Sequence, residues 1–179
     1  GKSQHAFCTS IDRKKDIRIL CNLAPDARWM ETLLHELGHA VYDKYLDPKL
    51  PYLLRGPAHT LSTEAIALLM GRQVQSAEWL SRVRKLPAAE VKRLSALIAR
   101  ERRRALLIFA RWALVMSRFE RALYEDPEGD LDALWWQLVE EIQHVPKPKG
   151  RKAPDGAAKM HIACAPVYYH NYLLGDLMA

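Results

Sequence analysis

The sequence predicts a mainly α fold with a short β element placed just before a helix that carries two histidines. Three observations favour this fold: long stretches of helix-forming residues, apolar residues at helical spacing, and one short alternating segment rich in β-branched residues. The 179 residues are enough for one domain with a sizeable core, and a hydrophobic content of 49% is typical of a globular protein. We therefore expect a single domain over residues 1–179.

The first predicted elements surround the two histidines. Residues 16–23, DIRILCNL, alternate at their start and predict a strand. The segment APD then interrupts the chain, and Asp26 can cap a helix that runs from about Ala27 to Leu46. A connection rich in proline and glycine follows. It leads into a second helix, STEAIALLMGR, for which Ser62 or Thr63 is the expected cap.

The rest of the chain is also predicted to be helical. SAEWLSRVRK forms a short helix, and a long helix is expected from Pro87 to about Tyr124 because this stretch contains no glycine and no further proline. LDALWWQLVEEIQHV predicts another amphipathic helix, and PKPKGRKAPDG a polar loop. A last helix is expected from about Pro166 to Met178.

Charge and cysteine content exclude several classes of protein. The net charge is +6, with basic clusters in ARERRRA and KPKGRKAPDG, but no zinc finger, RNA-binding signature or phosphate-binding loop accompanies them. We therefore interpret these clusters as solvated surfaces and expect no nucleic-acid partner. Cys8, Cys21 and Cys164 form no C-x-x-C pair and are expected to be small buried residues.

No membrane span and no targeting segment are predicted. The longest apolar run, ALLIFARWALVM, is too short to cross a bilayer and contains Arg111. The chain has no initiator methionine and ends on an apolar helix, so we expect a processed chain or a piece of a longer protein.

The stretch ETLLHELGHAVYDKYL, residues 31–46, contains the main chemical signal. His35 and His39 are one helical turn apart, so both imidazoles leave the same face and can bind one ion. Glu36 points about a third of a turn away, where it can act on water bound to that ion. This H-E-x-x-H arrangement is typical of a zinc hydrolase, and the small residues Gly38 and Ala40 allow another element to approach the helix closely. The alternative is that both histidines are ordinary residues of a helix face.

A catalytic zinc ion needs three protein ligands and an open position for water. Glu64 is the preferred third ligand because it begins a helix among apolar residues, where an uncompensated carboxylate would be costly. A carboxylate stabilised by the helix dipole is the alternative explanation of Glu64, and His59 is the rival ligand. With one Zn²⁺ per chain, the pKa of bound water would fall to about 7 and Glu36 would take its proton.

These residues are part of a wider resemblance. HELGHA followed by TEAIA resembles the gluzincin peptidases. Four further segments resemble peptidases of the angiotensin-converting-enzyme type: HAFCTSIDRKKDIRI, LPYLLRGPAHTLSTEAIA, WWQLVEEIQHVPKP and GAAKMHIACAPVYYHNY. The thimet-oligopeptidase-like families share the zinc motif and the Y-x-x-Y ending but match the other segments less well. The resemblance implies a zincin-type helical catalytic half-domain.

The resemblance also implies a role for residues outside the metal site. Tyr172 would donate to the oxyanion of the tetrahedral intermediate. His161 and His5 would hydrogen-bond the peptide carbonyl beyond the scissile bond, and Ala6 would offer backbone contacts to the bound strand. The alternatives are that the tyrosine belongs to the core of an amphipathic helix and that His161 is a hydrogen-bonded core histidine.

Two residues would determine which end of a peptide is bound. The resemblance implies that Lys159 and Tyr169 bind the C-terminal carboxylate of the substrate, which makes such an enzyme release dipeptides. A lysine is a point charge suited to a carboxylate, and a phenol remains a hydrogen-bond donor at neutral pH. The alternatives are that Lys159 belongs to the basic loop and that Tyr169 is a core aromatic.

The chain departs from the family pattern in several places. Asn171 occupies the position of an arginine linked to chloride, and Leu68 that of the acidic residue which hydrogen-bonds a zinc histidine. One extra residue separates His161 from the tyrosine pair. The family's domains are longer than this chain, which resembles only their zinc-bearing part, so the missing part is a candidate partner beside the peptide substrate.

The sequence thus predicts a zinc metallopeptidase that acts on short peptides and releases C-terminal dipeptides. The alternatives are an oligoendopeptidase or carboxypeptidase of a related gluzincin family, and an inactive zinc-binding fragment. The resemblance favours a secreted or periplasmic location.

Overall fold

A computed structural model describes residues 5–179 and shows a mainly α protein. Helices account for 62% of it, with two short strands, which confirms the predicted fold class. The chain forms two compact units. The first contains the described residues up to Arg100 together with Leu174–Ala179, and the second contains Glu101–Leu173.

The β element is an antiparallel hairpin of β1 (Phe7–Ser10) and β2 (Ile17–Leu20), with Phe7 opposite Leu20 and Ser10 opposite Ile17. The turn between them is built by Asp12, whose Oδ1 accepts the backbone N–H groups of the three residues from Lys14 to Asp16. The strand predicted over residues 16–23 is therefore present but shorter.

Helix α1 (Ala27–Lys44) carries the H-E-x-x-H motif. It begins where the sequence predicted, since the Asp26 carboxylate accepts the backbone N–H of Trp29 at 2.8 Å. Helix α2 (Thr60–Gly71) begins before the predicted caps, Ser62 and Thr63, which lie inside it. Its cap is His59, whose Nδ1 accepts the N–H of Leu61 at 3.0 Å and replaces the hydroxyl expected there.

Two glycines bring α1 and α2 together. A Cβ added to Gly38 would lie 2.5 Å from the Cα of Ala67, and one added to Gly71 would lie 3.3 Å from the backbone oxygen of Glu31. Backbone therefore approaches backbone at both places. The predicted close approach at Gly38 is confirmed, and it places the histidine face of α1 against the first turns of α2.

The first unit also contains short elements that follow these helices. Two 3₁₀ turns cover Tyr52–Leu54 and Arg72–Gln75, and α3 (Ala77–Arg82) is capped by the Ser76 hydroxyl, which accepts the N–H of Trp79 at 3.1 Å. Helix α4 extends over Ala88–Glu125, close to the predicted bounds, and belongs to the first unit as far as Arg100 and to the second unit from Glu101.

The second unit packs around an aromatic and aliphatic core. The elements after α4 are α5 (Leu131–Leu138), a π-helical turn (Val139–Gln143), α6 (Met160–Cys164) and α7 (His170–Met178), of which α7 belongs to the second unit only as far as Leu173. The buried core residues lie one helical turn apart on α4 and continue along α5 and the π turn; they are Val115, Met116, Phe119, Trp135, Leu138 and Val139.

Three expectations about this unit and the cysteines were wrong. Helix α6 was not predicted, and α7 begins at His170 rather than Pro166. The backbone of Val167 lies in the left-handed region with a φ of +53°, which prevents a helix from starting earlier. Cys164 is exposed, and Cys8 and Cys21 are only half-buried.

Within residues 5–179, none of the helices combines the length and the apolar character that a bilayer span requires.

Candidate functional site

The two motif histidines and Glu64 converge in the first unit. The Nε2 atom of His35 lies 3.6 Å from one carboxylate oxygen of Glu64, and the Nε2 atom of His39 lies 3.6 Å from the other. One ligand atom from each of the three residues falls within 4.8 Å of the other two. Glu64 is only 1% exposed, so this carboxylate faces the imidazoles in a buried space.

These distances fit a shared metal ion. Ligand atoms about 2.0–2.2 Å from a tetrahedral zinc ion are about 3.4 Å apart, close to the observed spacing and longer than a good hydrogen bond. Burial lowers the pKa of His35 to about 4, with a further contribution from His39, and burial lowers the pKa of His39 to about 4. Both imidazoles are therefore neutral at neutral pH, as metal ligands must be. The donor set of two nitrogens and one oxygen fits zinc.

A hydroxyl orients one of these histidines. The Oγ1 atom of Thr63 lies 2.7 Å from the Nδ1 atom of His39. When Nδ1 donates its hydrogen to this hydroxyl, Nε2 keeps its lone pair and points at Glu64. From the sequence, Thr63 was expected only to cap the helix, and with Leu68 in the family's acidic position no hydrogen-bond partner could be named for the two motif histidines. The position of Thr63, directly before Glu64 on the helix that faces α1, was the available signal.

Glu36 is the other buried carboxylate of this site, with 8% of its surface exposed. Burial and, to a smaller extent, the negative charge of Glu64 raise its pKa to about 7, although a hydrogen bond from the backbone N–H of Cys8 opposes the rise. A carboxylate with a pKa near neutrality can both take and return a proton. The contact from Cys8, which lies in β1, was not among the expectations from the sequence.

In the second unit, the structure brings Tyr172 and His161 together. The Tyr172 hydroxyl lies 3.5 Å from the Nε2 atom of His161, and their rings are 5.9 Å apart in an edge-to-face arrangement. The His161 ring also meets the ring of Tyr169 at 5.1 Å. Three predicted residues of the C-terminal segment therefore form one cluster.

Lys159 and Tyr169 share an indole. The Nζ atom of Lys159 lies 5.0 Å from the ring centre of Trp112, and the indole N–H of Trp112 donates to the Tyr169 hydroxyl at 2.6 Å. Burial raises the pKa of Tyr169, so its phenol is protonated at neutral pH. Trp112 was not expected from the sequence to belong to this cluster, because its 57-residue separation from Tyr169 left no local signal.

The remaining residues singled out by the sequence differ in their exposure and in their hydrogen bonds. His5 is exposed, and Ala6 is half-buried directly before β1. His59, the rival ligand, is the cap of α2 and is not in the metal-binding cluster. Asn171 is buried, and its amide nitrogen donates to the backbone oxygen of Tyr168 at 3.0 Å.

Comparison with known proteins identifies the family. A family model described as angiotensin-converting enzyme, a peptidase family, matches residues 3–178, which is nearly the whole chain. No individual curated protein matches it. The match includes both units and all the candidate residues described above, and the family is zinc-dependent in general. The chain therefore belongs to the angiotensin-converting enzyme family of peptidases.

Proposed function

We propose that this chain is a zinc-dependent peptidase that hydrolyses short peptides and releases their C-terminal dipeptides. The observation that carries the proposal is the buried cluster in which two neutral imidazoles each face a different oxygen of one carboxylate, at 3.6 Å. The Thr63 hydroxyl orients His39 in this cluster, and the close packing at Gly38 holds α1 against α2.

In this proposal, His35, His39 and Glu64 would hold one Zn²⁺. When bound, zinc would lower the pKa of a coordinated water and polarise the scissile carbonyl. Glu36 would take the proton of the attacking water and deliver it to the leaving amine. A pKa near 7 suits both steps, because the carboxylate can change protonation state at neutral pH.

The other roles follow the family resemblance residue by residue. Tyr172 donates to the developing oxyanion, and His161 and His5 hydrogen-bond the carbonyl beyond the scissile bond, while the backbone of Ala6 contacts the bound peptide strand. The short distance between the Tyr172 hydroxyl and the His161 imidazole supports a joint role for this pair.

Dipeptide release depends on binding of the substrate's terminal carboxylate. Lys159 supplies a positive charge and Tyr169 a phenol donor. Their association with the same indole supports this assignment, since both polar groups belong to one cluster within the second unit.

The first test is peptide hydrolysis by the zinc-loaded chain with and without a chelator. Turnover should stop on chelation and return with zinc. Glu36→Gln should retain zinc and lower the rate by about 10²–10⁴-fold. Glu78→Gln is the matched control, because it makes the same change of charge at an exposed position of α3, where Glu78 pairs with Arg82. Chelator-resistant turnover, or full activity of Glu36→Gln, would contradict the proposal.

Product analysis separates the proposed activity from its alternatives. A pentapeptide with a free C-terminus should yield a dipeptide and a tripeptide, and its C-terminal amide should be a poor substrate. Release of a single residue would indicate a carboxypeptidase, and internal cleavage of the amide an oligoendopeptidase. A chain that binds zinc but cleaves none of these peptides would be an inactive zinc-binding fragment.

A further inference from the structure

We propose that Trp112 is a positioning residue for the substrate's C-terminal carboxylate, because it holds both groups that bind this carboxylate. The inference rests on the proposed function, in which Lys159 and Tyr169 are those groups. Trp112 itself does not contact the substrate in this proposal. It lies half-buried on α4, within the aromatic cluster of the second unit.

The first contact fixes the direction of a hydrogen bond. The indole N–H of Trp112 can only donate, so the Tyr169 oxygen must accept, at 2.6 Å. The phenolic hydrogen of Tyr169 then has to point towards another acceptor. Burial raises the pKa of this phenol although the hydrogen bond from Trp112 acts in the opposite direction, so the phenolic hydrogen stays in place at neutral pH. Trp112 thereby makes Tyr169 a directed donor.

The second contact restrains a flexible cation. The Lys159 ammonium lies 5.0 Å from the centre of the Trp112 ring and 5.5 Å from that of Trp135. The face of an aromatic ring attracts the ammonium electrostatically, without accepting a conventional hydrogen bond from it. The ammonium is therefore held in place while its hydrogens can still be offered to a carboxylate. Trp135 is buried edge-to-face against Trp112, with ring centres 5.7 Å apart, so neither ring can turn away easily.

The charge of Asp155 is compensated mainly by groups other than Lys159. Asp155 is close enough for the Lys159 charge to contribute to lowering its pKa, but the main cause is hydrogen bonding from Arg151. The Asp155 carboxylate accepts bonds from the Arg151 guanidinium and, at 3.1 Å, from the indole N–H of Trp136. Its charge is thus largely compensated by these partners, and Lys159 remains suited to a carboxylate of the substrate.

The Trp112 indole therefore positions both the Tyr169 hydroxyl, a hydrogen-bond donor, and the Lys159 ammonium, a positive charge. A carboxylate has two acceptor oxygens and can bind both groups at once. Loss of the indole N–H should weaken the binding of a free C-terminus and leave that of an amidated C-terminus unchanged. Trp112→Phe removes the N–H and keeps an aromatic ring. Because one hydrogen bond is lost and the cation–π contact is weakened, the expected loss of affinity is about three- to tenfold.

The experiment measures equilibrium dissociation constants of a pentapeptide acid and the corresponding amide. The protein is the zinc-loaded full chain carrying Glu36→Gln, so that bound peptide is not cleaved. Trp112→Phe should lower the ratio of acid to amide affinity by about three- to tenfold. Trp136→Phe is the matched control, since it removes an indole N–H from the same unit that is bonded to Asp155, and its ratio should equal that of the parent.

A double-mutant cycle separates positioning from a general structural effect. If Trp112 acts through Tyr169, adding Trp112→Phe to Tyr169→Phe should reduce selectivity by less than it does alone. An unchanged ratio in Trp112→Phe would overturn the inference, as would an equal loss of affinity for acid and amide. Equal binding of acid and amide by the parent would instead show that the proposed carboxylate subsite is wrong. The two failures are therefore distinguishable.

Discussion

Replacing Gly38 with alanine should weaken both the fold and metal binding, because Gly38 lies where α1 and α2 touch. The added Cβ would be 2.5 Å from the Ala67 Cα and 3.0 Å from both the Ala67 nitrogen and the Ile66 oxygen. All three are backbone atoms, so no side chain can rotate away. Relief requires the helices to separate by about 1 Å to reach ordinary contact distances.

The expected magnitude combines two opposing effects. Overpacking against a rigid backbone costs about 3 kcal/mol, the upper part of the usual range. Alanine is favoured over glycine inside a helix by about 1 kcal/mol. The net loss in the free energy of unfolding is then about 2 kcal/mol, or about 4–8 °C in Tm for a chain of this size. Because Glu64 lies on α2 and His35 on α1, separating the two helices should also increase the distance between these side chains.

The assay is denaturant unfolding of the metal-free chain together with zinc affinity from chelator competition. Gly56→Ala is the matched control, because a Cβ there would meet nothing within 4 Å. Its stability should match that of the wild type within about 0.5 kcal/mol. If Gly38→Ala were as stable as the wild type and bound zinc equally well, the close approach of α1 and α2 would not be what holds the ligands together.

Three further predictions concern Thr63, Val167 and Cys8. Thr63→Val removes the hydroxyl that orients His39 and should weaken zinc binding about tenfold in chelator competition; unchanged affinity would show that this hydrogen bond is dispensable. Val167→Gly should raise the free energy of unfolding by about 1 kcal/mol in denaturant titrations, since the residue is 61% exposed and has a φ of +53°; a lower stability would contradict the strain. Burial and, to a smaller extent, nearby carboxylates raise the pKa of Cys8 to about 11. At pH 8, iodoacetamide should therefore modify Cys8 at least about tenfold more slowly than the exposed Cys164. Equal rates of modification, measured by mass spectrometry, would refute this.

The central part of the site could be predicted from the sequence because its signals are local. His35 and His39 are one turn apart on a strongly helical segment, so their shared face follows from helix geometry. Glu64 was identifiable because a carboxylate among apolar residues needs a compensating partner. The structure brings these three side chains close together, and their role as metal ligands stays a prediction.

Contacts between distant segments could not be predicted in the same way. The pairing of Thr63 with His39 depends on how α2 crosses α1, and the pairing of Trp112 with Tyr169 joins residues 57 positions apart. Neither has a spacing that a helical or strand period would reveal. The small size of Gly38 predicted that some element would approach it, but it did not indicate which one.

The wrong helix boundaries have a similar cause. His59 caps α2 through its ring nitrogen, although serine, threonine, aspartate and asparagine are the usual caps. Before α7, the left-handed turn at Val167 is held by Glu120, a buried carboxylate that accepts the Val167 N–H at 2.6 Å. This partner lies 47 residues away, so tertiary structure overrides the local preference for helix.

The most direct test of the central claim is the zinc content of the purified chain after dialysis, measured by mass spectrometry for three proteins. Wild type and Glu36→Gln should each retain about one zinc ion, because Glu36 is not a ligand. Glu64→Ala should retain almost none, since two imidazoles alone bind the ion weakly. Equal zinc retention by Glu64→Ala and the wild type, or loss of zinc from Glu36→Gln, would contradict the assignment of His35, His39 and Glu64 as the metal ligands.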